Sequence, residues 1–451
     1  ETPGGAAAQA VSAGLDAELP QASLFPHLVE EVTSGRLDEK VIDLALSRVL
    51  TIKARTGLIP EAATRAPAPR PGPDRAEAAA TRRAIAERSL VLLHNNGTLP
   101  LDGTRGRIAV VGPAADELRI HFGAYTSAAA AEMSAAIKAV RGGQIPGVDP
   151  KTFAAADIVT TPLPQLQPRF EETVRALHPG ARTVLDALRE SEASVGHVAL
   201  GSFSLDGQGP GLDTTRVGSA VADADVIVAV VGERSGRVGA NTAGEGRSSV
   251  SPSLPGDQEE LVELLAATGK PVVTVVVSGR PLLLERVTRA SAAVLLAPLL
   301  GEAAGAAIAA ALLGATNPSG KLPATLPRHL GQIPSYHGHR HGSGYDHPEG
   351  ENYAYVDLDD QSPLFAFGHG LSYTTFDLGL AGDAEVVGDR VRVPLRVSNT
   401  GSRDGETVVQ LYARDEYASV VRPVRQLLQF RRVPLAAGAS TELVLEAPVA
   451  R

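Results

Sequence analysis

Apolar positions change their spacing several times along the chain. After Asp38 they fall at Val41, Leu44, Ala45, Val49 and Ile52. Steps of three and four predict a helix with one apolar face, and Gly57 supplies its stop. The whole stretch 26–58 reads as helical. A pair of helices this short cannot enclose a core alone. From Asp74 the pattern predicts a long helix running toward Leu93 and ending near Asn95-Asn96-Gly97. Short β-branched runs then appear at Ile108–Val111, Val226–Val231, Val272–Val277 and Ala292–Leu296. Helical stretches at Gln258–Ala267 and Glu302–Leu313 alternate with the last of these runs. That alternation predicts a parallel sheet in an α/β layer fold. Strands covered on both faces explain why the runs are continuously apolar.

Residues 128–215 are rich in Ala, Pro and Gly, and read as insertions with one or two helices. Residues 331–370 hold many His, Gly, Tyr and Asp and predict a long connection. Beyond 371 the period drops to two, with Val391, Val393, Leu395 and Val397 on one face. A second strand covers Val408, Val409, Leu411 and Tyr412, and Asn399-Thr400-Gly401 is the turn before it. Short strands with glycine turns predict a β-sandwich, here with about four or five strands rather than the seven of an immunoglobulin-like sandwich. Pro60, Pro67, Pro69, Pro71 and Pro73 mark a linker. No internal repeat is visible. The fold class expected is a multidomain chain, α/β followed by all-β, and both ends look cut.

Composition narrows the function. The 451 residues are 43% hydrophobic and 21% charged, an ordinary globular balance. The net charge of −9 argues against nucleic acid or an anionic membrane surface as a partner. With no cysteine, thiol catalysis and Cys-based metal sites are excluded. No apolar run reaches the roughly 18 residues of a membrane span. The chain opens on Glu1 with no basic or apolar leader pattern, so its compartment stays unknown.

Several motifs can be weighed. There is no G-x-S-x-G elbow and no G-x-x-x-x-G-K-[ST] phosphate loop. Gly207, Gly209 and Gly211 follow no strand and make no dinucleotide fingerprint. His337, His339 and His341 alternate, which fits a metal only in an extended loop; a polar loop is the better reading. Asn96-Gly97-Thr98 is a glycosylation sequon that turn chemistry explains equally well. The segment after Val231 carries more. A Gly- and Arg-rich loop leaves the end of a parallel strand, where α/β sheets gather ligand sites. It exceeds the usual roughly two to six residues of a strand-to-helix connection. It contains Glu233 and Glu245, each a candidate catalytic carboxylate or a plain surface charge.

A collinear set of strings resembles glycoside hydrolase family 3 over nearly the whole chain. They are ERSLVLLHNNGTLPL (87–101), IAVVGP (108–113), GEG (244–246), LPGDQ (254–258), SGRP (278–281), NPSGKLP (317–323), FGHGLSY (367–373), NTG (399–401) and VVQLY (408–412). The resemblance implies the following organisation. Residues 1–58 are the C-terminal remnant of a (β/α)8 barrel, with AGLDAELP (13–20) near its last strand, and 59–73 are a linker. Residues 74–330 are an α/β-sandwich domain, 331–370 a connecting loop, and 371–451 an incomplete fibronectin type III-like domain.

The resemblance also implies a retaining β-glycosidase, β-glucosidase or β-xylosidase in type, acting on a β-linked oligosaccharide or glycoside. It implies no cofactor and no metal. In the family one carboxylate is the nucleophile and a second is the acid/base, roughly 5–5.5 Å apart. The family's nucleophile is an Asp in a Ser-Asp-Trp/Tyr motif ahead of the AGLD segment. Only ETPGGAAAQAVS stands there, so that residue is expected to be absent and the chain alone inactive. Asp16 matches a later segment and does not take that role. Glu245 matches the acid/base, although Arg247-Ser-Ser follows where the family often has Asp-Arg. Glu233 matches an earlier Gly-Glu that shapes the loop. Gly123-Ala-Tyr-Thr126 with Ser127 stands where the family has a sugar-contacting Gly-x-x-Ser turn, so Thr126 and Ser127 are either substrate contacts or turn residues. An N-acetylglucosamine-specific branch fits less well, because those members place the acid/base in the barrel. A non-catalytic, carbohydrate-binding fragment is the competing reading. Oligomeric state is not legible.

Overall fold

The computed structural model describes residues 2–19, 22–59, 72, 74–102, 106–146, 148–152, 167–191, 194–203, 211–238, 241–246, 248–340, 357–358 and 360–449. Most of the proline linker, Gly207 and Gly209, His341 and Arg247 lie outside them. The chain divides into two compact units, Glu1–Ala78 and Ala79–Arg451.

The first unit is helical: α1 (Pro3–Ser12), α2 (Leu28–Thr33) and α3 (Glu39–Arg55). Asp38 caps α3 through the Lys40 N–H, and Gly57 ends the segment at φ +78°. Ala7, Val11, Leu28, Leu37 and Ala45 form a small core. Leu44, Leu46, Leu50 and Ile52 of α3 face solvent. Leu15–Leu19 pair with no strand. Instead the Glu18 carboxylate accepts the N–H groups of Ser23, Leu24 and Phe25 and the Ser23 hydroxyl. These bonds, that of Phe25 foremost, lower its pKa to about 2. Asp16 pairs with Arg48 at 3.0 Å.

α4 (Arg75–Ser89), whose first four residues belong to the first unit, leads into β1 (Val91–Asn95) and β2 (Ile108–Val111) of the second. There follow α5 (Ser127–Arg141), α6 (Gln167–Leu177), α7 (Val184–Glu190), β3 (Val195–Val198) and α8 (Thr214–Ala220). Next come β4 (Val226–Gly232), α9 (Gln258–Ala267), β5 (Val272–Val277), α10 (Glu285–Ala290), β6 (Ala293–Ala297) and α11 (Ala304–Leu312). The six strands make one sheet in the order β1-β6-β5-β4-β2-β3, all parallel except β1 at the edge. Every residue of β4 and β5 is buried, as strands covered on both faces require.

Three expectations need correcting, the first being that six strands among the described residues, not four or five, follow residue 371. The helix predicted to reach Leu93 stops at Ser89, and Val91–Asn95 is a strand antiparallel to β6. An unbroken apolar run fits helix and strand alike, and here the free edge of β6 decides. The region 128–215 is also more regular than its composition suggests, holding nearly all of α5, then α6, α7, β3 and the first residues of α8. Alanine is the best helix former but gives little contrast between faces, so α5 shows no clear period.

The remaining strands are β7 (Phe376–Leu380), β8 (Glu385–Val387), β9 (Arg390–Asn399), β10 (Gly405–Ala413), β11 (Gln426–Leu435) and β12 (Ser440–Pro448). One sheet runs β12-β9-β7 with β8 added to β9, and the other pairs β10 with β11. Val397, Val409, Val433, Leu435 and Leu445 fill the space between them. The turn at Asn399 therefore joins strands of different sheets. Buried Asn399 holds that crossing by donating to the carbonyls of Arg403 and Leu435 and accepting from Thr374. Ion pairs such as Arg88–Glu406 tie these strands to the α/β layer.

Candidate active site

The long loop leaves β4 at Gly232 and ends at Gln258. The buried Gln258 side chain donates to the Gly232 carbonyl at 3.0 Å and accepts its N–H at 2.8 Å. One side chain thus closes both ends of the loop. At the root, Glu233 is 2% exposed. It accepts from Ser278 Oγ at 2.9 Å and from Arg280 Nε and Nη2 at 2.9 and 2.5 Å. A buried carboxylate must be paired in this way, because desolvation penalises it otherwise. Arg234 forms a two-pronged pair with Glu117 at 2.7 and 2.8 Å, and lies over the Phe203 ring.

The loop then folds back on itself, with Ser235 and Ala243 in a single parallel bridge. The N–H groups of Thr242 and Ala243 donate to the Arg234 carbonyl, and the Gly236 N–H donates to Ala243. Gly244 sits at φ +129°, and a Cβ there would lie 2.2 Å from the Gly236 carbonyl oxygen. Only glycine fits that approach. Gly246, at φ +70°, turns the chain again. Glu245 lies between these turns with its side chain 54% exposed, 3.7 Å from Arg237. The Arg237 guanidinium stands 5.4 Å from the centre of the Tyr125 ring, which is 77% exposed. Arg237 therefore joins Glu245 to the 123–127 turn, at the outlets of the adjacent parallel strands β2 and β4.

Thr126 caps α5: its hydroxyl accepts from the Ala129 N–H at 3.3 Å and donates to the Gly123 carbonyl at 3.0 Å. Ser127 is the first residue of α5 and is exposed. Arg119, Glu132, Arg237 and Asn241 go unmarked in the sequence, and their part emerges only from the fold. His337 stacks on Phe367 with ring centres 3.9 Å apart, and His339 meets the edge of Tyr336. No group of three or more His, Asp or Glu among the described residues is arranged to hold a metal ion. A largely apolar cavity of about 450 Å³ touches the root through Ser278 and Arg280, but no residue of 234–246 lines it. Exposed carboxylate chemistry belongs to the tip rather than to this cavity.

Comparison with known proteins agrees with the layout. Residues 90–373 match the glycosyl hydrolase family 3 C-terminal domain, and 407–451 match a fibronectin type III-like domain. The periplasmic beta-glucosidase of Salmonella typhimurium is 33% identical over 445 residues, covering 95% of this chain and 53% of that protein. A beta-xylosidase of Formosa agariphila is 31% identical over 414 residues, covering 88% of this chain and 48% of its own length. The crystal structure of a beta-glucosidase from Listeria innocua in complex with isofagomine superposes with a TM-score of 0.74 at 28% identity, covering 99% of this chain and 56% of that one. The chain spans about half the length of the curated relatives it matches. Its α/β layer with the loop and its two small sheets are those of glycosyl hydrolase family 3, to which this chain belongs.

Proposed function

We propose that the chain is part of a retaining β-glycosidase that removes terminal β-linked glucose or xylose from oligosaccharides or glycosides, with Glu245 as acid/base. The observation carrying this is the contrast within one loop. Glu233 is buried and saturated with donors, whereas Glu245 is exposed between two turn glycines at a strand outlet. In the first displacement the glutamic acid protonates the departing glycosidic oxygen while a second carboxylate attacks the anomeric carbon. In the second displacement the glutamate takes a proton from the incoming water, and two inversions restore the configuration. The attacking carboxylate, on this reading, lies outside residues 1–451, in keeping with the chain spanning about half the length of its relatives. On this reading 1–58 are the last part of the (β/α)8 barrel, and Thr126 and Ser127 border the sugar. The relatives named beta-glucosidase and beta-xylosidase support this substrate class.

Leaving-group dependence tests the assignment in the full-length enzyme. Glu245→Ala is expected to slow alkyl or disaccharide substrates by roughly 10²–10⁴-fold while sparing activated aryl glycosides. Azide is expected to restore part of the rate by attacking the glycosyl-enzyme. Transfer of that signature to Glu233→Ala would refute the assignment. The half-length coverage also supports the alternative of a non-catalytic, carbohydrate-binding polypeptide. Purified 1–451 is expected to release no nitrophenol from aryl β-glucosides or β-xylosides, because glycosyl transfer to the enzyme requires the attacking carboxylate. Turnover above a vector control would show that the second carboxylate lies within these residues.

A further inference from the structure

We propose that the buried Arg119–Glu132 ion pair is the anchor that fixes the loop bearing Glu245, making Arg119 a positioning residue for the acid/base. This rests on the assignment of Glu245 above. Arg119 lies in a 3₁₀ turn, Arg119–His121, after β2, and Glu132 lies on α5. Their side chains are 2% and 1% exposed. Both guanidinium Nη atoms reach the Glu132 carboxylate, Nη2 at 2.7 Å. Two further donors go to the loop: Nε to Asn241 Oδ1 at 3.0 Å and Nη2 to the Val238 carbonyl at 3.1 Å. Asn241 Nδ2 donates to that same carbonyl. Val238 is buried among Ala136, Val140 and Ile145, so the loop at Val238 and Asn241 is held to α5 by apolar packing and, through Arg119 and Glu132, by hydrogen bonds. The Phe170 ring lies 4.4 Å from the guanidinium carbon.

A buried ion pair is a poor source of stability, since desolvating two charges cancels most of their attraction. What this pair supplies is direction. Its forked donors accept only one placement of Val238 and Asn241, which fixes Arg237 on one side and Gly244–Glu245 on the other. An apolar replacement could fill the volume but would leave the loop free to slide.

The test uses the full-length enzyme with Arg119→Met and Glu132→Leu combined, so that no unpaired charge remains. The expected result is an unchanged or raised melting temperature. The kcat/KM for an alkyl β-glucoside is expected to fall about tenfold or more, with less than about threefold change for the dinitrophenyl glucoside. Asn241→Ala, which keeps the ion pair, is expected to show a smaller split of the same sign. Asn241→Asp, which keeps the acceptor oxygen for Arg119 but sets a charged oxygen against the Val238 carbonyl, is expected to show a split no smaller than that of Asn241→Ala. If the double variant does not fold, the Asn241 pair decides. Equal losses on both substrates, or none, would overturn the proposal. Glu245→Ala run in parallel separates the two claims. If it shows no leaving-group dependence, the acid/base assignment fails; if it does and the anchor variants do not, only the anchor fails.

Discussion

The root and the tip of the β4–α9 loop each carry a glutamate, and the chain surrounds them differently. At the root Glu233 has three donors within 2.9 Å and almost no exposure. At the tip Glu245 has one arginine at 3.7 Å and a half-exposed side chain. The root's partners come from the end of β5, while the tip is held through backbone turns and the distant grip on Val238 and Asn241. A carboxylate saturated with donors is committed to structure. One left open but held in place is available to exchange protons.

The largest expected difference in stability comes from Glu233→Ala. Removing it strands Arg280 beside a buried Ser278, and about 3–5 kcal/mol should be lost on chemical denaturation. A loss below about 1 kcal/mol would put the root and tip carboxylates in the same class. Next is acid. His121, in the turn that braces the loop, is 1% exposed with neither ring nitrogen hydrogen-bonded among the described residues. Burial lowers its pKa to about 4. The unfolded chain takes up the proton near pH 6.5, the folded protein only near 4. Stability is therefore full above pH 6.5 and declines as pH falls toward 4, by about 3 kcal/mol. Denaturation at pH 7 and 4.5 should show that slope, and His121→Leu should flatten it. An unchanged slope in the variant would assign the acid sensitivity elsewhere.

A smaller effect is expected for Gly244→Ala. Its Cβ would meet the Gly236 carbonyl at 2.2 Å, so the loop must open at a cost of about 2 kcal/mol. The smallest is the stability change for Glu245→Ala, below about 0.5 kcal/mol, since its ion pair is exposed. A melting shift as large as that of Glu233→Ala would mean that the tip is structural too.

The sequence exposes these features unequally. The β4 and β5 runs are legible because burial on both faces leaves them no polar residue but Thr274. The Ala-rich α5 is hidden by its lack of contrast, and Leu90–Leu93 fits two structures until β6 offers an edge. Glu245 is visible as a glutamate between glycines, but the resemblance is what separates it from Glu233. The anchor has no local signature. Arg119, Glu132 and Asn241 look like ordinary surface residues until the fold buries them together.

Arg119 and Asn241 are 122 residues apart in sequence, so their bond closes a very large chain loop. Such closure is slow and gains nothing until the sheet between its ends has assembled. The grip on Val238 and Asn241 must therefore follow the pairing of β2 with β4, which brings its two ends together. During synthesis, a nascent chain released only as far as β4 would have most of its parallel strands but no ordered tip. Refolding experiments should accordingly find β2 and β4 protected from hydrogen exchange before residues 234–238 and 241–246.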